Sequence, residues 1–418
     1  MERNHPIELH RKFQEILKRT LTIILAGGQG ERLFPLTKDR SKPAVPFGGI
    51  YRIIDFSLSN CLNSGLRKIY CLTQYKSYSL ERHIRMGWNI FNRELNEFVY
   101  TIPPQQRMSN SWYLGTADAV YQNIYIIEQE NPELVLILSG DHVYKMDYSK
   151  LLEYHIMKNA DLTVCSVQLE KEKASSFGVI QIDENNLIKE FQEKPADPAT
   201  IPHNPGYCLV NMGVYLFNTD TLIEALLRDS KIASEHDFGK NIIPELVKSK
   251  NVFAFGFGEE EDRGGYWRDI GTVDAYYESS MDLVQVNPKF NVYDRNWPIR
   301  TYHGQYPPAK TVFSGEEGGR KGEVLNSIIS NGCIISGSKV ENSILSPNVR
   351  IHSFCRISQS IIMEDVEIQR HAKIKRAIID KHTYISSSTI MGYDLKRDGE
   401  RFFVTRSGIV VIPRLSRI

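Results

Sequence analysis

A chain of 418 residues is too long for one ordinary hydrophobic core and predicts two domains. Its 51 basic and 50 acidic residues nearly cancel, so no general nucleic-acid or membrane surface is expected, and any phosphate must be held by a local cluster. The six cysteines form no Cys-x-x-Cys pair and no zinc spacing with histidine, which predicts buried, reduced thiols in a cytoplasmic protein. No apolar run reaches the roughly 18 residues of a membrane span, and Met1 to Arg19 lacks the apolar core of a secretion signal.

Residues 1–19 read as an N-terminal extension. Leu21 to Ala26 is then a short apolar run that enters Gly27-Gly28-Gln29-Gly30, the pattern of a buried strand feeding a glycine-rich turn. A second run, Leu134 to Leu138, ends in Ser139-Gly140-Asp141, and a helix is predicted over Ser149 to Lys158. Thr163 to Val167 reads as the next strand. Alternating strands and helices predict a mostly parallel α/β sheet. Gly178 to Ile182 and Leu187 to Phe191 flank Asp183-Glu184-Asn185-Asn186 and predict a hairpin. Cys208 to Phe217 is a further strand, and Thr219 is placed to cap the helix that follows. The domain so defined covers 20–287, and the Pro-, Gly- and Tyr-rich stretch 288–319 reads as a linker.

The remainder, 320–418, repeats. Asn326-Ser327-Ile328-Ile329 recurs as Asn342-Ser343-Ile344-Leu345, Gln359-Ser360-Ile361-Ile362 and Arg376-Ala377-Ile378-Ile379, at spacings of 16, 17 and 17 residues. Short apolar periodicity of this kind predicts a parallel β-helix, in which each coil buries its apolar positions against the next; a β-sandwich is the alternative.

The chemistry-bearing residues begin at the glycine turn. Glycines let backbone N–H groups approach phosphate oxygens. Arg32 and Lys42 are the nearby cations that can neutralise a triphosphate and a departing diphosphate. A surface loop with two solvated cations is the plain alternative. Asp141 falls beyond the carboxyl end of an apolar strand, where open α/β sheets place ligands, and Asp269 is a second acid in a strand–turn context; a lone Asp there also serves as a cap. Asp147 and Asp161 are weaker candidates, Asp147 standing where a helix dipole favours negative charge. In Phe191-Gln192-Glu193-Lys194-Pro195, Lys194 can pair with a phosphate and Glu193 can accept from hydroxyls, although an exposed Glu–Lys pair is common.

Gly27-Gly28-x-Gly30-x-Arg32-Leu33 followed by Lys42-Pro43-Ala44 resembles the signature of sugar-nucleotide pyrophosphorylases. Phe47 through Asn60, Gln105-Gln106-Arg107, Trp112-Tyr113 and Gly115-Thr116-Ala117-Asp118-Ala119 narrow the resemblance to the bacterial glucose-1-phosphate adenylyltransferases, also called ADP-glucose pyrophosphorylases. It runs from about residue 21 to about residue 413. It implies a Rossmann-like nucleotidyltransferase domain followed by a left-handed parallel β-helix, in a homotetramer that makes ADP-glucose for glycogen or starch. It implies ATP at Leu25, Ala26, Gly27, Gly28, Gly30, Arg32, Lys42, Gln105, Gln106, Gly115 and Thr116. Glucose 1-phosphate falls at Tyr113, Gly178, Glu193, Lys194, Asn211 and Asp237, and Mg²⁺ at Asp141 and Asp269. It further implies that Arg32, Lys42, Asp141 and Lys194 carry the catalysis. Gln74 and Trp112 match positions linking regulatory and substrate sites, and Arg40, Arg52 and Lys381 match basic positions for phosphorylated effectors.

The sequence departs from that pattern in places. Asn211 stands where many members have Ser, Pro46 where some have His, Gln129 where some have Arg, Asp39 where some have Lys, and Lys381 where an Arg is usual. Lost cations weaken an anion site, so the effectors are expected to bind weakly or to differ. Three rivals stay open: another nucleotide base, since glutamine amides read several; a non-catalytic regulatory subunit; and an acyltransferase using His352, His371 or His382.

Overall fold

The computed structural model describes residues 5–105, 112–258, 265–315 and 320–418. A helix, His5–Lys18, runs over the polar N-terminal segment and buries Ile16 and Leu17 in the first core. Thr20–Ala26 sits centrally in a nine-stranded sheet, parallel to Lys68–Thr73 on one side and Leu134–Ser139 on the other. Its near-continuous apolar run follows from burial on both faces, since two separate cores pack against the sheet.

The long strand Tyr207–Asn218 then joins antiparallel to Leu134–Ser139 and pairs with both Leu162–Glu170 and the hairpin strand Gly178–Ile182. The second hairpin strand, Ile188–Glu193, carries the chain to Lys194. Asp147 is a helix N-cap, accepting from the Ser149 amide. The cap expected at Thr219 belongs instead to Asn218 by position. Thr219 is the first helical residue, and its hydroxyl is drawn to the carbonyls of Pro132 and Glu133. All six cysteines are buried free thiols.

The C-terminal region is built of three ladders of parallel strands closing one coil after another, with Phe403–Val404 added antiparallel at the end of one of them. Lys310–Val312, inside the stretch expected to be linker, already pairs with Ile334–Ser336, because its backbone completes the first coil. The repeated tetrapeptide has a physical explanation at each position. Its first residue turns the corner in the left-handed region, at φ 44° for Asn326, 47° for Asn342, 49° for Gln359 and 51° for Arg376. Its serines form a ladder: the amides of Ser343, Ser360 and Ala377 donate to the hydroxyls of Ser327, Ser343 and Ser360. Its two aliphatic residues face opposite ways. Leu345, Ile362 and Ile379 fill the helix interior, whereas Ile361 and Ile378 enter a core shared with Leu33, Val45, Ile270 and Val273 of the first domain. Elsewhere the coils alternate, as in Lys373-Ile374-Lys375, with only the isoleucine buried. One face of the β-helix is thus apolar outward because the first domain covers it.

Among the described residues no helix is long and apolar enough to cross a membrane. His352 pairs with Glu367, His382 with Asp365, and His371 stacks on Phe354, so the three β-helix histidines are engaged separately.

Candidate active site

The carboxyl ends of the parallel strands open onto a cleft of about 800 Å³. Gly27 crosses so near the Gln74 Cβ that a side chain there would lie 3.1 Å away, and Gly30 takes a left-handed φ of 66°, which turns the chain into the short helical turn Glu31–Leu33. Leu25, Ala26, Gly27, Gly28, Gly30, Arg32, Lys42, Gln74, Tyr113, Gly115, Thr116, Asp141 and Asp237 all line this cleft.

At its floor Lys42 Nζ lies 2.7 Å from Asp141 Oδ2 and 2.9 Å from Asp269 Oδ1. Asp141 comes from the end of the central strand Leu134–Ser139. Asp269 comes from Trp267–Asp269, which pairs antiparallel with His142–Tyr144 so that Asp269 stands opposite His142. This two-stranded ribbon brings two distant acids together. Gly271 completes the corner: a Cβ there would fall 3.0 Å from Asp269 Oδ2 and 3.3 Å from Arg32 Nη2, which sets Arg32 beside the pair.

The electrostatics follow from burial and pairing. Burial alone would raise the Asp141 pKa, but Lys42, His142 and the Ser139 hydroxyl pull it below the ordinary carboxylate range. Burial likewise opposes charge on Lys42, and the two acids more than offset it, raising its pKa. Both groups are ionised at neutral pH.

Sequence reasoning did not single out His142. Its Nε2 lies 3.5 Å from Asp141 Oδ1 and 3.8 Å from Asp269 Oδ1, while its buried Nδ1 has no hydrogen-bond partner. Asp141, His142 and Asp269 offer donor atoms within 4.8 Å of one another, a set that fits a divalent cation. The only sequence signal was its place directly after Asp141.

The sugar-side candidates adjoin this cleft without all lining it. Asp237 Oδ2 accepts from the Thr116 hydroxyl at 2.9 Å, and its Oδ1 caps the amides of Gly239 and Lys240. Glu193 packs against Gly178 and Gly239, where a Cβ would lie 3.0 and 2.8 Å from its Oε2. Lys194, at φ 48°, pairs with Glu193 Oε1 at 2.6 Å and leaves 59% of its side chain exposed. Asn211 uses its amide to fix a bulge: Oδ1 accepts from the Gly213 amide and Nδ2 donates to the Tyr215 hydroxyl. Gly213 in turn backs onto His142 and Ser139, joining this strand to the acidic centre. The Tyr113 hydroxyl is held by Asn123.

Gln105 donates to the Pro103 carbonyl outside the cleft lining, and Gln106 lies outside the described residues. Trp112 is exposed and stacks on Tyr75, with ring centroids 5.7 Å apart, while Gln74 reaches the Tyr113 carbonyl.

The basic residues matched to effector positions lie between the domains. Arg40 is buried and grips both carboxylate oxygens of Asp380, at 2.7 and 2.6 Å, rather than facing an open site. Arg52 donates to the Ala44 carbonyl and Ser79, and Lys381 is paired with Glu364. Arg52 and Lys381 line a small cavity of about 80 Å³ with His83, Tyr302, Tyr306 and Glu364. Burial, reinforced by Arg52, lowers the Lys381 pKa to about 8.

Residues 21–286 match the model of the Nucleotidyl transferase family, and residues 307–412 match that of the GlmU-like C-terminal hexapeptide, the left-handed β-helix repeat. The chain is 53% identical over 404 residues to a glucose-1-phosphate adenylyltransferase of Rhodopirellula baltica, covering 96% of this chain and 91% of that protein. It is 51% identical to one from Koribacter versatilis, over 94% of this chain and 95% of the relative. It is also 51% identical to glucose-1-phosphate adenylyltransferase 2 of Vibrio cholerae, over 95% and 98%. With the parallel strands, the glycine turn, the paired acids and the hexapeptide coils in one chain, it belongs to the glucose-1-phosphate adenylyltransferase family of nucleotidyl transferases.

Proposed function

We propose that this chain converts ATP and α-D-glucose 1-phosphate into ADP-α-D-glucose and diphosphate. The observation that carries this reading is the meeting of Lys42 with Asp141 and Asp269 at the floor of a cleft whose wall is the glycine turn. A phosphate oxygen of the sugar phosphate forms a bond to the α-phosphorus of ATP, and the bond to the bridging oxygen of the diphosphate breaks opposite it. The phosphate nucleophile is already anionic, so neither a covalent enzyme intermediate nor a general base is required. Arg32 and Lys42 hold the triphosphate and face the leaving diphosphate. Lys194, half free in solvent, holds the incoming phosphate, and Glu193 and Asp237 accept from sugar hydroxyls. Catalysis is then mostly positioning and electrostatics.

Asp141 and Asp269 would hold Mg²⁺, with the His142 ring alongside; when bound, the ion supplies neutralisation of phosphate charge. The depressed pKa of Asp141 keeps it ionised for that role.

Adenine is the base we infer, on family membership rather than on any base-reading side chain. Release of diphosphate by the purified chain with ATP, UTP, GTP and dTTP in turn tests the base, and activity of the chain alone tests the regulatory-subunit alternative. Asp141→Ala should abolish most turnover, and Lys194→Ala should raise the KM for glucose 1-phosphate far more than that for ATP. Normal kinetics in both would sink the assignment.

The same reading takes the enzyme as a cytoplasmic homotetramer supplying ADP-glucose for glycogen, regulated by phosphorylated metabolites at the cavity of Arg52 and Lys381. Arg40 and Lys381 already carry internal carboxylate partners, so such an anion must compete with Asp380 and Glu364. A screen of phosphorylated metabolites on initial rate identifies it.

A further inference from the structure

The segment Ser234–Gly239 touches both sides of the cleft and is held by a cluster the reaction itself does not use. On the nucleotide side, the His236 carbonyl accepts from the amides of Ala117 and Asp118 at 2.8 and 3.2 Å. These are among the unsatisfied donors at the start of the helix Thr116–Tyr121. Gly115 passes so close that a Cβ there would collide with the carbonyl oxygens of Glu235 and His236. The Thr116 hydroxyl donates to Asp237 and accepts from the Phe238 amide at 3.0 Å. On the sugar-phosphate side, Asp237 lines the cleft and Gly239 abuts Glu193.

Besides these contacts, the segment is anchored at His236. His236 takes a left-handed φ of 51°, a conformation that disfavours most side chains. What holds it there is Asp229, a nearly fully buried carboxylate at the end of the helix Thr219–Asp229. His236 Nδ1 donates to Asp229 Oδ2 at 2.6 Å, Ser234 Oγ donates to Asp229 Oδ1 at 2.7 Å, and the His236 amide donates to Ser234 Oγ at 3.0 Å. Both carboxylate oxygens are thus used to fix the backbone immediately before Asp237.

We propose that His236 is a positioning residue that couples the two substrate subsites, so that occupancy of the nucleotide side sets Asp237 and Glu193 for the sugar phosphate. The proposal rests on the assignment of Gly115 and Thr116 to ATP and of Glu193, Lys194 and Asp237 to glucose 1-phosphate. The coupling runs through backbone: the helix start at Thr116 and the turn at Asp237 share hydrogen bonds, so neither moves without the other.

Binding of glucose 1-phosphate to the full chain with Mg²⁺ is measured calorimetrically, with and without α,β-methylene-ATP. The wild type should bind the sugar phosphate more tightly with the analogue present. His236→Gly accepts the left-handed φ but loses the donor. It should lose that gain, by roughly tenfold, the scale of mutations along coupled networks. His236→Asn tolerates the same φ and still donates, and should restore the gain. If His236→Gly fails to fold, Asp229→Asn takes its place with the same expectation. The proposal is overturned if the wild type shows no gain, if the variant keeps it, or if His236→Gly only lowers the melting temperature. Lys194→Ala in the same assay separates the two claims: undiminished sugar-phosphate binding there overturns the subsite assignment itself. A loss in Lys194→Ala with none in His236→Gly overturns only the coupling.

Discussion

The two lysines proposed to meet phosphate live in opposite surroundings. Lys42 has 10% of its side chain exposed and is held by two carboxylates, whereas Lys194 has 59% exposed and leans on one neighbouring glutamate. Lys42 follows a turn anchored to the second domain; Lys194 ends a hairpin strand near the sheet margin. A buried, prepaid electrostatic centre favours charge that appears in the transition state, because its dipoles need no rearrangement. An exposed cation on a strand end captures a ligand from water and contributes mainly to binding. The expected division is therefore kcat on the Lys42 side and KM on the Lys194 side.

The largest effect should come from breaking the buried centre. Lys42→Ala leaves Asp141 and Asp269 facing each other and is expected to lower kcat by roughly 10³-fold with a modest change in KM for glucose 1-phosphate, read from initial rates. A KM effect without a kcat effect would erase the distinction between the two lysines. Next comes the anchor behind it. Arg40, two residues before Lys42, makes its buried pair with Asp380 of the β-helix. Asp380→Ala strands that guanidinium and should cost about 3 kcal/mol in denaturant unfolding. It should also lower kcat, since Ser41-Lys42-Pro43 loses its support.

On the open side the expected effects are smaller. Asn211 spends its amide on the bulge at Gly213. Asn211→Ser keeps only one of those bonds and should raise the KM for glucose 1-phosphate by about threefold, the scale of one neutral hydrogen bond, while leaving the KM for ATP alone. An equal rise for both substrates would show that the bulge supports the acidic centre through His142 rather than the sugar side.

What the sequence disclosed follows the same division between local and distant. The strand–turn at Gly27 and the coils at 326–379 are legible because each residue's job is set by neighbours one turn or one coil away. The apolar outward face of Ile361 and Ile378 was visible only as two adjacent aliphatics; that the second face is covered by Leu33 and Ile270 is a tertiary fact. The union of Asp141 with Asp269 depends on pairing between two three-residue strands, too short to announce their register. Resemblance supplied that pair, not spacing. Resemblance alone offers Arg40 as an effector cation; its pairing with Asp380, 340 positions away, has no signal in the sequence. His142 passed unnoticed because one histidine after an aspartate has no pattern of its own. The cap position falls one residue before Thr219 because Asn218 and Thr219 are adjacent residues of cap-forming type, and the carbonyls of Pro132 and Glu133 draw the Thr219 hydroxyl away.

The smallest expected effect is a near-absence of one, and it tests the buried centre from another direction. Asp141 has its pKa depressed, so its stabilising contribution is complete above the ordinary carboxylate range and is lost only as pH falls through the folded value. Lys42 has its pKa raised, so its contribution is complete below the ordinary lysine value and is lost only as pH rises through the higher folded one. Between these limits neither group changes charge. In the metal-free chain these two groups should therefore change the folding equilibrium by less than about twofold between pH 7 and 9, read from denaturant unfolding. Effector binding should not share that flatness. Lys381, lowered to about 8, loses its proton within the same interval. An anion in the cavity of Arg52 and Lys381 should therefore bind more weakly at pH 9 than at pH 7, and Lys381→Gln should remove the difference. If unfolding of the metal-free chain instead becomes easier toward pH 9 and Lys42→Ala removes that trend, Lys42 is deprotonating in the folded protein, and the ammonium between the two acids is less firmly held than its distances indicate.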